Sequence, residues 1–221
     1  MNLYPAILTD DVRQAQHQLE ILKQVEEIET VHVDVIDGHF VDNMTVTPLD
    51  LVGLDFGHLT LSFHLMVQEP LDFVYELIEC GSDLPVKTVI GQIEQMSYQD
   101  QFIAEVQKYN WQAGLCLNLH TPLESIEPES WDQVDSLLLL GVQAGYQGQK
   151  FNQKVFAKIE AFTQEYQRKS DPIELIVDGG VKLDHLDQLS EAGVDSAAVG
   201  SGIWKNKNPQ GQLLKFLDQL G

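Results

Sequence analysis

Basic residues are scarce in this chain: 13 lysines and arginines stand against 34 aspartates and glutamates, a formal net charge of −21. Nucleic acid and anionic membrane surfaces are polyanions, so this imbalance argues against both as partners. Cysteine is scarcer. Cys80 and Cys116 are the only two in 221 residues, with neither metal-motif spacing nor the density of a disulfide scaffold, which fits a reducing cytoplasm. Long hydrophobic runs are missing as well, because LVGLDFGHLTLSFHLMV is interrupted by Asp55, His58 and His64. The first residues, MNLYPAILTDDVRQ, lack a basic segment ahead of a long apolar one, so secretion is not expected. Linkers rich in serine or proline, low-complexity stretches and short-period repeats are absent too, and residues 1–221 read as one domain.

What is present is alternation of short apolar runs with amphipathic segments. Residues 3–8, 30–35, 59–67, 84–90, 111–117, 136–142, 174–177 and 196–199 read as eight strands. Between them, residues 11–26 repeat Val12, Ala15, Leu19, Leu22 and Val25 at helical spacing, and residues 184–192 do the same with Leu186 and Leu189. Pro70 and Pro209 fit the first turn of a helix, and Asn152 and Asp184 read as N-caps. Strand–helix alternation implies a parallel sheet, and eight units in this length imply an α/β protein of the (β/α)8 TIM-barrel type. An open doubly wound sheet is the other solution. The glycine fingerprint of dinucleotide-binding sheets does not follow the first strand, which weakens it.

Three of these runs carry metal-ligand residue types. His32 and Asp34 lie two apart in VHVDVIDG, so they share one face of a strand while Val31, Val33 and Val35 take the other. His64 lies in LSFHLMV and Asp178 closes LIVDGG. Singly, each is ordinary core or turn chemistry. Together they spell a site with two histidines and two carboxylates at the carboxyl ends of strands two, three and seven, where barrels keep their active sites. Burying that many ionisable groups without a cation is expensive, and the ligand types admit one divalent ion, Zn, Mn, Fe or Co. A second set points to an anion. Gly179-Gly180 follows strand seven and Gly200-Ser201 follows strand eight, the usual phosphate loops of such barrels. The loop Gln143 to Gln149, with Gly145 and Gly148, follows strand six and is placed to close over the same group.

HVDVIDGHFVDN, FHLMVQEP, GVQAGYQGQKF and IVDGGVKLDHLDQLSEAGVDSAAVGSGIW, in that order and spacing, resemble the diagnostic segments of the ribulose-phosphate 3-epimerase family, in register from residue 3 to about residue 204. The resemblance implies a ribulose-phosphate-binding barrel, a homo-oligomer and a small-molecule sugar phosphate as substrate. It implies His32, Asp34, His64 and Asp178 as metal ligands, with Asp34 and Asp178 also the acid–base pair. It places Gly148, Gly179, Gly180, Gly200 and Ser201 around the phosphate.

The same resemblance exposes departures. Ala6 stands where the family has a serine, Ile36 and Leu140 where it has methionines, and Ala144-Gly145-Tyr146-Gln147-Gly148 where it has Pro-Gly-Phe-Gly-Gly. Asn118-Leu119 replaces an Asn-Pro pair, and on strand four Thr88 and Ile90 take the positions of a histidine and a glutamate. The expected reaction is interconversion of D-ribulose 5-phosphate and D-xylulose 5-phosphate. The alternatives are a hexulose 6-phosphate such as D-allulose 6-phosphate, a lysine-dependent decarboxylase or aldolase using Lys87, and a sugar-phosphate-binding protein that has lost turnover.

Overall fold

The computed structural model describes residues 1–167 and 170–221. Each apolar run forms a strand: β1 Asn2–Ile7, β2 Thr30–Ile36, β3 Thr60–Met66, β4 Val86–Gln92, β5 Gln112–Leu117, β6 Ser136–Leu140, β7 Glu174–Asp178 and β8 Ser196–Val199. Every strand pairs in parallel with the next, and β1 pairs with β8 through Asn2↔Ser196 to Pro5↔Val199, closing an eight-stranded barrel. The period-two pattern explains the two cores. Val31, Val33, Val35, Leu61, Phe63 and Leu65 face outward and pack with the helices, while Tyr4, Ala6, Ile36, Met66, Ile90, Cys116, Leu138, Leu140 and Ile176 form a separate cluster inside the barrel.

The covering helices are α1 Val12–Leu22, α2 Pro70–Cys80, α3 Gln99–Gln107, α4 Val155–Glu165, α5 Leu186–Glu191, α6 Ser201–Trp204 and α7 Pro209–Leu220. Asp11 Oδ1 caps α1 by accepting from Arg13 N at 2.8 Å, and α2 and α7 begin on their prolines as expected. Four details differ from the sequence reading. Helix α1 stops at Leu22 rather than Glu26, because Val25 N and Ile28 N bond three residues back, to Leu22 O and Val25 O, and bury their side chains through tight turns. Asp184 is not an N-cap: it lies inside a 3₁₀ turn, Leu183–His185, whose cap is Lys182. Asn152 sits ahead of α4, where its Oδ1 accepts from Lys154 N at 3.0 Å and closes the turn into the helix. Finally, two crossovers use 3₁₀ turns in place of an α-helix: Leu49–Leu51 between β2 and β3, and Leu123–Ser125 with Pro128–Asp132 between β5 and β6. Pro48, Gly53 and Gly57 interrupt the first and Pro122 and Pro128 the second, and none of these residues extends a helix. Among the described residues no helix is long and apolar enough to cross a membrane.

The amino-terminal mouth of the barrel is closed by a polar network rather than by apolar side chains. Tyr4 Oη donates to Glu174 Oε1 at 2.6 Å, Ser196 Oγ donates to the same oxygen at 2.6 Å, and Lys87 Nζ donates to Thr30 Oγ1 at 3.2 Å. Burial and the Glu174 carboxylate hold the Tyr4 phenol well above its ordinary pKa. A hydrogen bond to a charged acceptor is worth about 1.5–3 kcal/mol, so Tyr4→Phe is expected to lower the melting temperature by roughly 3 to 12 °C without touching the opposite mouth. An unchanged melting temperature in calorimetry contradicts this account.

Candidate active site

Strand register brings the four ligand-type residues together. His32 and Asp34 face the barrel interior from β2, and Asp34 stands level with His64 on β3. Asp178 ends β7 beside Leu140 of β6. One ligand atom from each of His32, Asp34, His64 and Asp178 lies within 4.8 Å of the other three. His64 Nδ1 is 3.0 Å from Asp34 Oδ1, and His32 Nε2 approaches the same oxygen at 3.4 Å, an electrostatic contact rather than a formed hydrogen bond. Both imidazoles are wholly buried, and neither ring nitrogen of His32 has a hydrogen-bond partner. Buried polar atoms without partners are rare in proteins and point to a missing ligand. Two imidazoles and two carboxylates supply a donor set suited to a divalent ion of the zinc, manganese, iron or cobalt kind.

The environment separates the two carboxyl groups. Burial alone pushes Asp34 upward, but its contacts with His32 and His64 outweigh burial and hold it well below the usual carboxylate range. Burial and the neighbouring Asp34 charge raise Asp178 to about 6, against the opposing pull of the two histidines. One group is therefore an ionised carboxylate and the other takes up a proton far more readily.

Asp34 and Asp178 open into one cavity, and every residue expected at the phosphate lines it: Gly145, Gly148, Gly179, Gly180, Gly200 and Ser201. Gly180 has φ +73°, and a Cβ there would lie 2.7 Å from Phe151 N, so its glycine is demanded by backbone packing as well as by any ligand. Gly200 and Ser201 begin α6, which Trp204 fastens to β1 by donating from Nε1 to Ala6 O at 2.7 Å. The loop after β6 crosses the cavity and is pinned at three points. Asn43 Nδ2 donates to Gly145 O at 2.6 Å, Tyr146 Oη to Asp42 O at 2.5 Å and Gln147 Nε2 to Leu8 O at 3.1 Å. Of the departures noted in the sequence, Ala6, Leu140, Ala144, Tyr146 and Gln147 line the cavity, whereas Ile36 belongs to the apolar cluster inside the barrel.

Strand four corrects the sequence reading. Thr88 lies low in the barrel and donates to Gln112 Oε1 at 3.0 Å, and Ile90 is apolar filling. The β4 residue that reaches the site is Gln92, fully buried, with Oε1 2.9 Å from His64 Nε2. Lys205 was also overlooked: a Cβ on Gly148 would collide with its Nζ, so the ammonium sits over the cavity loop. Lys87 belongs to the opposite mouth, among Tyr4, Glu27, Glu29 and Thr30, which removes it as a nucleophile at this site.

Comparison with known proteins agrees with this geometry. The family model of the ribulose-phosphate 3-epimerase family matches residues 2–204. The chain belongs to the ribulose-phosphate 3-epimerase family. It is 32% identical over 204 residues to the ribulose-phosphate 3-epimerase of Bacillus subtilis, covering 90% of each chain. It is 32% identical to the ribulose-phosphate 3-epimerase of Helicobacter pylori strain 26695, covering 94% of this chain and 93% of that one. Among solved structures, 3-hexulose-6-phosphate synthase from Salmonella typhimurium superposes with a TM-score of 0.71 at 14% identity, over 100% of this chain and 98% of that one. Phosphoribosyl anthranilate isomerase from Thermus thermophilus does so with a TM-score of 0.65 at 14% identity, over 100% of both chains. These two likenesses concern the fold. Membership of the epimerase family makes the chain an enzyme of the isomerase class.

Elemental analysis of the purified epimerase is expected to find one divalent cation per chain, and His32→Ala or Asp34→Asn should drop its content well below stoichiometry. Full occupancy in either variant removes that residue from the ligand set.

Proposed function

We propose that this chain is a metal-dependent ketose-phosphate 3-epimerase that interconverts D-ribulose 5-phosphate and D-xylulose 5-phosphate. The observation that carries the reading is the pair Asp34 and Asp178: two carboxyl groups from non-adjacent strands that face one cavity with proton affinities driven in opposite directions. Inverting the carbon beside a ketone requires removal of a proton from one face and delivery of a proton to the other. Asp34, ionised, accepts the C3 proton. Asp178, the readier proton carrier, returns one from the opposite face, and the roles exchange in the reverse direction. A divalent cation held by His32, Asp34, His64 and Asp178 supplies a Lewis acid for the charge that develops on the ketone oxygen and its neighbouring hydroxyl.

The other end of the cavity accounts for the phosphate. Gly179, Gly180, Gly200 and Ser201 line it, Ser201 brings a hydroxyl, and Lys205 adds a cation beside Gly148. The loop from Ala144 to Gln147 covers the substrate and excludes water from the proton transfers.

The deciding experiment follows exchange of the C3 hydrogen with deuterium oxide by NMR, on metal-loaded protein with ribulose 5-phosphate and allulose 6-phosphate in parallel. Exchange is expected with the pentulose phosphate. Faster exchange of the hexulose phosphate reassigns the substrate, and no exchange with either leaves the binding-protein reading. Asp178→Asn, with its metal content measured, is expected to lower kcat by roughly two to four powers of ten; a metallated variant of unchanged rate removes Asp178 from catalysis. Ser201→Ala is expected to raise KM for the phosphorylated substrate by roughly two- to tenfold, the worth of one hydrogen bond, with the metal retained. Equal efficiency on phosphorylated and unphosphorylated ketoses overturns the phosphate assignment.

A further inference from the structure

Gln92 ends β4 with both polar atoms of its amide engaged inside the protein. Its Oε1 is 2.9 Å from His64 Nε2, and its Nε2 donates to Glu94 Oε2 at 2.7 Å. Glu94 is held in turn by two more donors on its other oxygen, Asn118 N at 2.8 Å and Thr121 Oγ1 at 2.5 Å. The chemistry of these groups leaves one arrangement. A carboxylate only accepts hydrogen bonds, so the NH2 of Gln92 faces Glu94 and its carbonyl oxygen faces His64. A carbonyl oxygen also only accepts, so His64 Nε2 carries a proton. His64 Nδ1 lies 3.0 Å from Asp34 Oδ1 at the centre of the cluster, also an acceptor, so without a cation both ring nitrogens carry protons; a cation that takes the place of the Nδ1 proton would meet a lone pair there, while Gln92 keeps the proton on Nε2.

We propose that Gln92 and Glu94 are positioning residues that lock His64 in its Nε2–H tautomer and aim the Nδ1 lone pair at the cation. The proposal rests on the reading of His32, Asp34, His64 and Asp178 as a metal centre. Neither residue touches the metal or the substrate. Glu94 orients Gln92, Gln92 orients His64, and the ring has only to give up its Nδ1 proton to ligate, with no tautomer change or ring flip. Hydrogen-bonded partners of metal-ligating histidines commonly act in this way.

The test uses metal-free full-length protein titrated with Zn²⁺, together with ¹⁵N NMR of the histidine ring nitrogens. Wild-type protein is expected to show a His64 Nε2–H protected from exchange with solvent and to bind one Zn²⁺. Gln92→Leu, which keeps the volume and removes the acceptor, should lose that protected proton and bind Zn²⁺ about 10- to 100-fold more weakly. Gln92→Glu combined with Glu94→Gln exchanges acceptor and donor between the two positions, keeps an acceptor on His64 Nε2, and should recover most of the affinity. Glu94→Gln, an exposed substitution that leaves packing alone, frees the Gln92 amide to turn over and should weaken binding by about tenfold or less. It keeps the test alive if Gln92→Leu does not fold. Unchanged Zn²⁺ affinity together with an unchanged Nε2–H signal in Gln92→Leu, or in Glu94→Gln where that variant stands in, overturns the lock alone. Failure of the wild-type protein to bind Zn²⁺ overturns the metal centre itself, and the lock with it.

Discussion

Two carboxyl groups share one small space inside this barrel, and the remainder of the site is arranged around their repulsion. The ligand atoms of Asp34 and Asp178 lie within 4.8 Å of each other. At such a separation, with an effective dielectric of about 20, two unit charges repel by about 4 kcal/mol. That is a large fraction of the 5–15 kcal/mol by which a domain is ordinarily stable. The protein answers asymmetrically. His32 and His64 both approach Asp34, so one carboxylate stays charged while the proton affinity of the other rises. The same asymmetry that makes the cluster tolerable to fold divides the acid from the base. A cation between the four groups would complete the neutralisation, and the donor set is one that could hold it.

How far this was legible in the sequence depends on what local chemistry alone can encode. Short apolar runs marked all eight strands, because a barrel strand is covered on one face by helices and on the other by the barrel interior. His32, Asp34, His64 and Asp178 were legible for a related reason: ionisable residues inside apolar runs are costly and have few structural excuses. That the glycines after the last strands would line the same cavity was legible by position. Crossovers were not, since Pro48 and Pro122 end helical potential in segments otherwise long enough for a helix. Gln92 was invisible for a deeper reason. An amide near a strand end has no signature, and its role depends on register with β3, which shifts at Leu61 and Ser62, whereas the resemblance had pointed to Thr88 and Ile90 on this strand. The relevant information is a contact across strands. Lys205 was hidden by the opposite fault, because an exposed lysine is ordinary until the fold lays it over Gly148.

The pattern of departures from the family has a physical order. The four residues of the cluster are tied to one another by charge, so replacing any one leaves the others buried and uncompensated. The wall residues Ala6, Leu140 and Gln147 answer to shape and to single hydrogen bonds, each worth about 0.5–1.5 kcal/mol, and they change without collapsing the centre. Gln147 shows how such a change is absorbed. Its amide donates to Leu8 O, and it lies beside Ala6 around Gly200. A larger side chain on the loop thus fills space next to a smaller one on β1. Chemistry and specificity are held by different kinds of interaction, so they can diverge separately.

The formal net charge of −21 sharpens this division, because an anionic substrate approaches against the field of the whole molecule. What admits it is local. The cavity is lined by the glycine loops and Ser201, with Lys205 close to Gly148, and by Asp34 and Asp178, which lie beside two buried imidazoles. On the proposed reading, the cavity takes a molecule with a phosphate at one terminus and an enolisable ketone toward the other. A phosphate bound at the loops fixes the distance along the chain at which the ketone meets the metal, and the carbon beside that ketone then falls between the two carboxyl groups. Pentulose and hexulose phosphates differ in that distance by one carbon. On that reading, the covering segment from Ala144 to Gln147, which lines the cavity, is the part of the molecule whose shape would decide which of the two is seated for proton transfer.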